Sequence, residues 1–261
     1  MLRSRSASGM PSFFKSGKRS LQLQEPVHSE VPDVRDAGLS AIYYGQRVAG
    51  DFYDFIRVSP NRVVFGLLDV AGRHEQTRSI AAIVQQTFRE QAPRLFDKEE
   101  LNEAHAMIEL CLMMNRAILG AADGGVLSCP ALAACYNEDI GTVCYFNAGH
   151  TPALLRHTGG VTELGATGLP LGLFSHVTCD APTVAVESSG ALVMISRGMV
   201  EASFKGDEYG MHRAKQALAT STAGSAKEIC VAMLDDVKRF MRTPPTHNDV
   251  TVLSLLRAGS A

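Results

Sequence analysis

No stretch of the 261-residue sequence approaches the ~20 consecutive apolar residues of a membrane-spanning helix. The only apolar feature near the N-terminus, Phe13-Phe14, falls far short of a signal-peptide core, so the chain is read as cytoplasmic. Tryptophan is absent, while 23 glycines and 11 prolines suggest many tight turns. The six cysteines (111, 129, 135, 144, 179 and 230) include no Cys-x-x-Cys pair and no closely spaced Cys/His pairs, which argues against a zinc site. Scattered thiols of this kind fit a reducing compartment and act mostly as small buried hydrophobes. A large excess of either charge is missing too. The net charge of −2 argues against a nucleic-acid binder that relies on bulk positive charge. There is no internal repeat, no internal linker and no strict βαβ alternation.

What is present is ordinary globular composition, 46% hydrophobic and 20% charged, enough for a substantial core. The charge is unevenly spread. Residues 1–20 carry Arg3, Arg5, Lys15, Lys18 and Arg19 with no acid, a +5 segment rich in serine, which leaves −7 on the remainder. Residues 1–35 are expected to form a disordered, solvated tail, and 36–261 a single domain.

Within that domain, short β-rich runs are expected near 41–44, 52–56 and 63–68, separated by turn residues such as Ser59-Pro60-Asn61. Helical spacing takes over at 75–92 and again at about 99–121, with Leu101, Ala104, Ile108, Cys111, Leu112 and Asn115 along one side of the second helix. Strands follow at 129–136, 141–148, 152–157, 161–164, 183–187 and 191–196. Helices at 209–219 and 225–241, with Asp207-Glu208 as a solvated helix start, precede a last strand at 249–257. Blocks of strands and helices point to an α+β layered domain rather than a Rossmann or barrel fold.

Two acidic motifs stand out. In Gly50-Asp51-Phe52-Tyr53-Asp54 the aspartates are three apart, so on a strand they face opposite ways and only one serves a given site. Leu67-Leu68-Asp69-Val70-Ala71-Gly72 places an acid where a hydrophobic strand meets a turn, a position that also suits a helix or turn cap.

The ordered segments YYGQRVAGDFYDF, GLLDVAGR, YFNAGHTPALL, TGLPLGLF, SRGMVEA and NDVTVL, spanning about residues 40–257, resemble the signatures of PPM-type serine/threonine phosphatases of the SpoIIE/RsbU-like branch. The resemblance implies an αββα sandwich of two antiparallel sheets flanked by helices. It also implies a pair of Mn²⁺ or Mg²⁺ ions that activate water for attack on a phosphoserine or phosphothreonine. Matched motif by motif, Asp51 and Asp69 fall on metal-binding, catalytic carboxylates and the carbonyl of Val70 on a backbone ligand.

The other two carboxylates are missing. Arg197 stands where the family has the aspartate before Gly198, and Asn248 where it has the first acid of its C-terminal motif, leaving a weak ligand. Asp249 is adjacent but expected to face the other way. At ~4 Å from a divalent ion and an effective dielectric of ~20, a guanidinium repels it by on the order of 8 kcal/mol before solvent and relaxation. A simpler arrangement sets Arg197 between Asp51 and Asp69 in place of the metal's charge.

The resemblance thus implies an impaired or inactive phosphatase domain, a pseudophosphatase that binds phosphoproteins in partner switching. Its partner would be a phosphorylated STAS-type anti-anti-sigma protein or a switch kinase. The alternative is an active Mn- or Mg-dependent phosphatase with a site rebuilt from Asn248, a histidine such as His74 or His247, or Asp54. His150, in Asn147-Ala148-Gly149-His150, is expected to order a turn, and Gly168-Leu169-Pro170-Leu171-Gly172 to form a packed turn.

Overall fold

The computed structural model describes residues 30–45, 50–70, 74–98, 101–121, 128–242 and 249–259, and of 74–76 the backbone alone. The tail over 1–29, His247 and Asn248 lie outside the described residues, as do the side chain of His74 and part of the Asp69 loop.

The elements run β1 (Ala37–Tyr44), β2 (Asp51–Ser59), β3 (Arg62–Asp69), α1 (His74–Phe96), α2 (Glu103–Ala121), β4 (Ala131–Asn137), β5 (Thr142–Ala148), β6 (Ala153–His157), β7 (Gly160–Leu164), β8 (Thr183–Ala185) and β9 (Ala191–Ile195). They continue with α3 (Arg197–Val200), β10 (Ser203–Phe204), β11 (Asp207–Glu208), α4 (Gly210–Thr220), α5 (Ala226–Met241) and β12 (Val250–Arg257). Two five-stranded antiparallel sheets result, one ordered β1-β12-β9-β6-β7 and the other β2-β3-β4-β5-β8. Helices α1 and α2 cover the second sheet, and α4 and α5 the first. This is the expected αββα sandwich.

Three apolar layers hold it together, and strand alternation sorts residues among them. On β3, Val63, Phe65 and Leu67 enter the layer between the sheets, while Val64 and Leu68 face α1 and α2. On β12, Leu253 and Leu255 join the layer between the sheets, while Val250 and Val252 face α5. Strands buried on both faces read as continuous apolar runs, which is why Val63–Leu68 is so plain in the sequence. Gly66 is the exception within that run because a Cβ there would collide with the carbonyl of Leu132.

Some local expectations are corrected. Helix α1 runs through Pro93 to Phe96, because Phe96 packs into the core and anchors the extra turn. The buried stripe of α2 is Met107, Leu110, Cys111, Met114, Asn115 and Ile118, whereas Leu101, Ala104 and Ile108 are only partly buried. Asp207 and Glu208 form β11 of a short hairpin, and α4 begins afterwards at Gly210, with no acid in its first turn. Leu171 of the 168–172 segment is fully buried and bridges Cys129 by paired backbone hydrogen bonds, although Leu169 is exposed.

Candidate functional site

Asp51 opens β2 and Asp69 closes β3, and the antiparallel register sets them directly opposite one another. Directly opposed residues share a face. That face is the one of Phe65 and Leu67, so both carboxylates project into the gap between the sheets at its open end. The approach of the two strands is secured at Gly50. Its carbonyl accepts from the Val70 N–H at 3.1 Å, and a Cβ at Gly50 would run into the Val70 carbonyl oxygen.

The opposing sheet completes the surroundings. Thr251, at the start of β12, donates its hydroxyl to Asp51 Oδ2 at 2.8 Å, and Ser196, just after β9, donates its hydroxyl to the Asp249 carbonyl at 3.2 Å. Ser196 Oγ accepts from the Thr251 N–H at 2.9 Å, which ties the two strand ends together. Burial pushes the Asp51 carboxyl up to about 7, the two hydroxyls oppose that, and the charges of Asp69 and Asp249 add to it. Asp249, expected to face away, is buried just before β12 and close enough for its charge to act on Asp51.

Arg197 is the first residue of α3, and its Nε lies 3.1 Å from Asp69 Oδ2 and 3.9 Å from a Glu201 carboxylate oxygen. The Asp69 side chain is only 9% exposed while that of Arg197 is 52% exposed, so the guanidinium covers the acid from the solvent side. Among the described residues the guanidinium therefore pairs with Asp69 and Glu201 and not with Asp51, whereas the expectation set it between Asp51 and Asp69.

Asp54 points to the opposite face of β2, as the spacing required. There it is held by Arg89 of α1 through a two-point contact (Nε–Oδ2 2.7 Å, Nη2–Oδ1 3.1 Å), and Gln85 Nε2 donates to it at 3.0 Å. Asp54 thus fastens α1 to the sheet and is not free to rebuild the site.

His150 sits in a buried turn after β5. Its N–H donates to Asn147 Oδ1 at 2.8 Å, and its Nδ1 lies 3.1 Å from the Thr151 carbonyl, which places the ring proton on Nδ1. Burial holds the imidazole below its ordinary pKa, and it feels the charges of both Asp69 and Arg197. Its Nε2 has no hydrogen-bond partner among the described residues. Sequence reasoning placed His150 in a turn; its closeness to the acidic pair became visible only in three dimensions.

The two ions implied by the sequence resemblance require several acids converging on one point. Among the described residues, no group of three His, Cys, Asp or Glu side chains does so. Asp69 Oδ2 is engaged by Arg197 and Asp51 Oδ2 by Thr251. The described residues do not fit a dinuclear centre.

The sequence profile of the Stage II sporulation protein E (SpoIIE) family matches residues 59–257. The fold is similar to the RsbU and RsbW domains of Rv1364c from Mycobacterium tuberculosis, with 20% identity, a TM-score of 0.71, and coverage of 88% of this chain and 62% of that one. It is also similar to the PP2C phosphatase domain and regulatory fragment of SpoIIE from Bacillus subtilis (16% identity, TM-score 0.70, 86% of this chain and 64% of that one). The SiaA-PP2C domain of Pseudomonas aeruginosa matches at 14% identity and a TM-score of 0.68, covering 83% of each chain. The chain thus spans less than two thirds of the first two structures. No curated protein sequence matches it. No helix among the described residues is long and apolar enough to cross a membrane. A family profile covering most of the chain, on a sandwich shared with PP2C-type phosphatase domains, establishes that this chain belongs to the SpoIIE family of PPM-type phosphatase domains.

Proposed function

We propose that this domain is a degenerate member of its family, impaired as a phosphatase and acting as a phosphoprotein-binding module in partner switching. The observation that carries the reading is the 3.1 Å contact between Arg197 Nε and Asp69 Oδ2. A permanent cation stands where the family has an acid and contacts a carboxylate that the family resemblance assigns to metal binding, and it has no acceptor to offer a metal. Asn248, which retains only a neutral carbonyl oxygen, weakens the set further. The partner that fits the family is a phosphorylated STAS-type anti-anti-sigma protein or a switch kinase, contacted without nucleic acid and in a cytoplasmic setting.

A second reading, an active Mn- or Mg-dependent phosphatase, is favoured by the facing pair Asp51 and Asp69 and by buried Asp249 beside them. The restoration variant separates the two. Arg197→Asp with Asn248→Asp rebuilds four carboxylates, and its effects are expected to be strongly non-additive because in-line displacement at a dinuclear centre needs both ions. Mn²⁺-dependent hydrolysis of an aryl phosphate is expected from the double variant, with wild type and each single variant near background. Turnover by wild type equal to that of the double variant would establish the active reading instead.

A further inference from the structure

Without metal ions, the acidic end of the sandwich is a poor seat for a phosphate. Asp51, Asp69, Asp249 and Glu201 gather around one cation, Arg197. A phosphoserine carries about −1.5 to −2 charges at neutral pH and meets more repulsion than attraction there. A domain that binds phosphoproteins through this end therefore needs cations beside the acids.

Such cations border the site. Helix α5 ends at this end of the sandwich, where the Arg242 N–H closes its last turn on the Lys238 carbonyl at 3.0 Å and sets the two cations one turn apart. Lys238 Nζ lies 4.3 Å from the centroid of the Tyr44 ring, and Tyr44 pairs with Val250, the neighbour of Asp249. The Arg242 guanidinium lies 4.8 Å from the centroid of the Phe204 ring, and Lys205 Nζ lies 5.5 Å from the same centroid. Phe204 and Lys205 belong to the β10–β11 hairpin, which begins two residues after Glu201.

Structural needs account for part of this arrangement. Lys238 and Arg239 complement the dipole of α5, and Arg239 is also paired with Asp236. Lys205 lies on the hairpin and gains nothing from that dipole. Among the described residues, Lys205, Lys238 and Arg242 have no carboxylate within ion-pair distance. Lys205 and Arg242 are both exposed. Two cations on one ring repel each other, the ring offsets that only in part, and a bridging anion removes it. Asp207, directly opposed to Phe204 in the hairpin, brings the opposing charge to this face.

We propose that Lys205, Lys238 and Arg242 form a docking stripe for a phosphorylated, acidic segment of a partner protein, separate from the Asp51–Asp69 pair. The Arg242 fork takes two phosphoryl oxygens, while Lys205 and Lys238 act as point charges toward flanking carboxylates. Phe204 and Tyr44 hold the cations in place. Three cations bounded by exposed Asp207, Glu208 and Asp235 suit a short acidic segment, because those acids repel a longer polyanion or a charged membrane. The proposal rests on the reading of the domain as a phosphoprotein-binding module, and it sets the bound phosphate beside the acidic pair rather than on it.

The test uses the full chain in EDTA and a fluorescein-labelled peptide, Ala-Asp-phosphoserine-Asp-Ala, read by anisotropy. Wild type is expected to bind this peptide and not its unphosphorylated form. Lys205→Gln with Arg242→Gln is expected to weaken binding about tenfold or more. Lys227→Gln, one charge removed at the far end of α5, is expected to leave it unchanged, and Asp207→Asn to tighten it. On addition of O-phospho-L-serine, amide resonances of 204–205 and 242 are expected to shift, and the same spectra report that each variant is folded. Equal binding by the double variant, equal affinity for the unphosphorylated peptide, or tighter binding of duplex DNA or of phosphatidylserine vesicles would each overturn the proposal. Shifts centred on 197–201 would also overturn it, moving the phosphate onto Arg197 and leaving the phosphoprotein reading in place. No binding by wild type would overturn the stripe and the binding role alike, while Mn²⁺-dependent turnover, measured separately, decides whether the domain is impaired.

Discussion

Removing the guanidinium is the sharpest perturbation of the candidate site. Arg197→Ala takes a positive charge from beside Asp69 while leaving both carboxylates, Thr251 and Ser196 in place. Two magnitudes follow. The ion pair has a partner that is 52% exposed, so its worth to folding is near that of a surface pair, about 1 kcal/mol, rather than the ~3–5 kcal/mol of a broken buried pair. The effect on a divalent ion at the acids is larger. A unit charge ~4 Å from a dication contributes roughly 2 kcal/mol at the dielectric of water and ~8 kcal/mol at an effective dielectric of ~20. With half of the guanidinium in solvent the lower figure applies, and about 2 kcal/mol is a roughly 30-fold gain in Mn²⁺ affinity. Calorimetric titration with Mn²⁺ measures this directly, with Asp69→Asn as the control in which binding is lost. Thermal unfolding with and without Mn²⁺ gives an independent reading, since a ligand specific to the folded state raises stability by mass action. Wild type is expected to bind Mn²⁺ weakly or not at all. Two tight ions in wild type, or an Arg197→Ala variant that binds no better, would refute the argument that Arg197 blocks a metal.

Asp51 gives the molecule a pH signature. Its folded pKa of about 7 lies above the ordinary 3.8, so the folded state holds that proton more tightly than the unfolded state. The contribution is fully present below about pH 4 and is lost as pH rises through about 7, at about 1.4 kcal/mol per unit of pH within that window. Denaturant unfolding of Asp51→Asn is expected to match wild type near pH 4 and to be more stable at pH 8; equal stability at both would show that Asp51 is not held protonated. At the helix side, Arg89→Ala strands the buried Asp54 carboxylate with Gln85 and the Phe55 N–H alone. A loss of about 2 kcal/mol is expected from urea unfolding, and a loss under ~0.5 kcal/mol would mean that the pair does not anchor α1.

The two-faced strands and their order are written in the residue pattern of the chain. Continuous apolar runs such as Val63–Leu68 mark strands covered on both sides, and the strict period of two sets Asp51 and Asp54 on opposite faces. The same period, together with the ordered motifs, singled out Asp51, Asp69 and Arg197 as residues to examine. What the period does not encode is distance between segments far apart in the chain. That Thr251 reaches Asp51, that Arg197 bonds Asp69, and that Asp249 acts on Asp51 all depend on how one sheet is laid on the other. The stripe of α2 is only partly legible in the sequence for a related reason. Helical spacing offers two adjacent apolar faces there, and packing against α1, β4 and β5 selects the one through Met107, Leu110, Met114 and Ile118. Side-chain periodicity is local and written in the chain, whereas the meeting of distant strand ends is a property of packing, and it was packing that brought a cation, three acids and a buried histidine to one end of the sandwich.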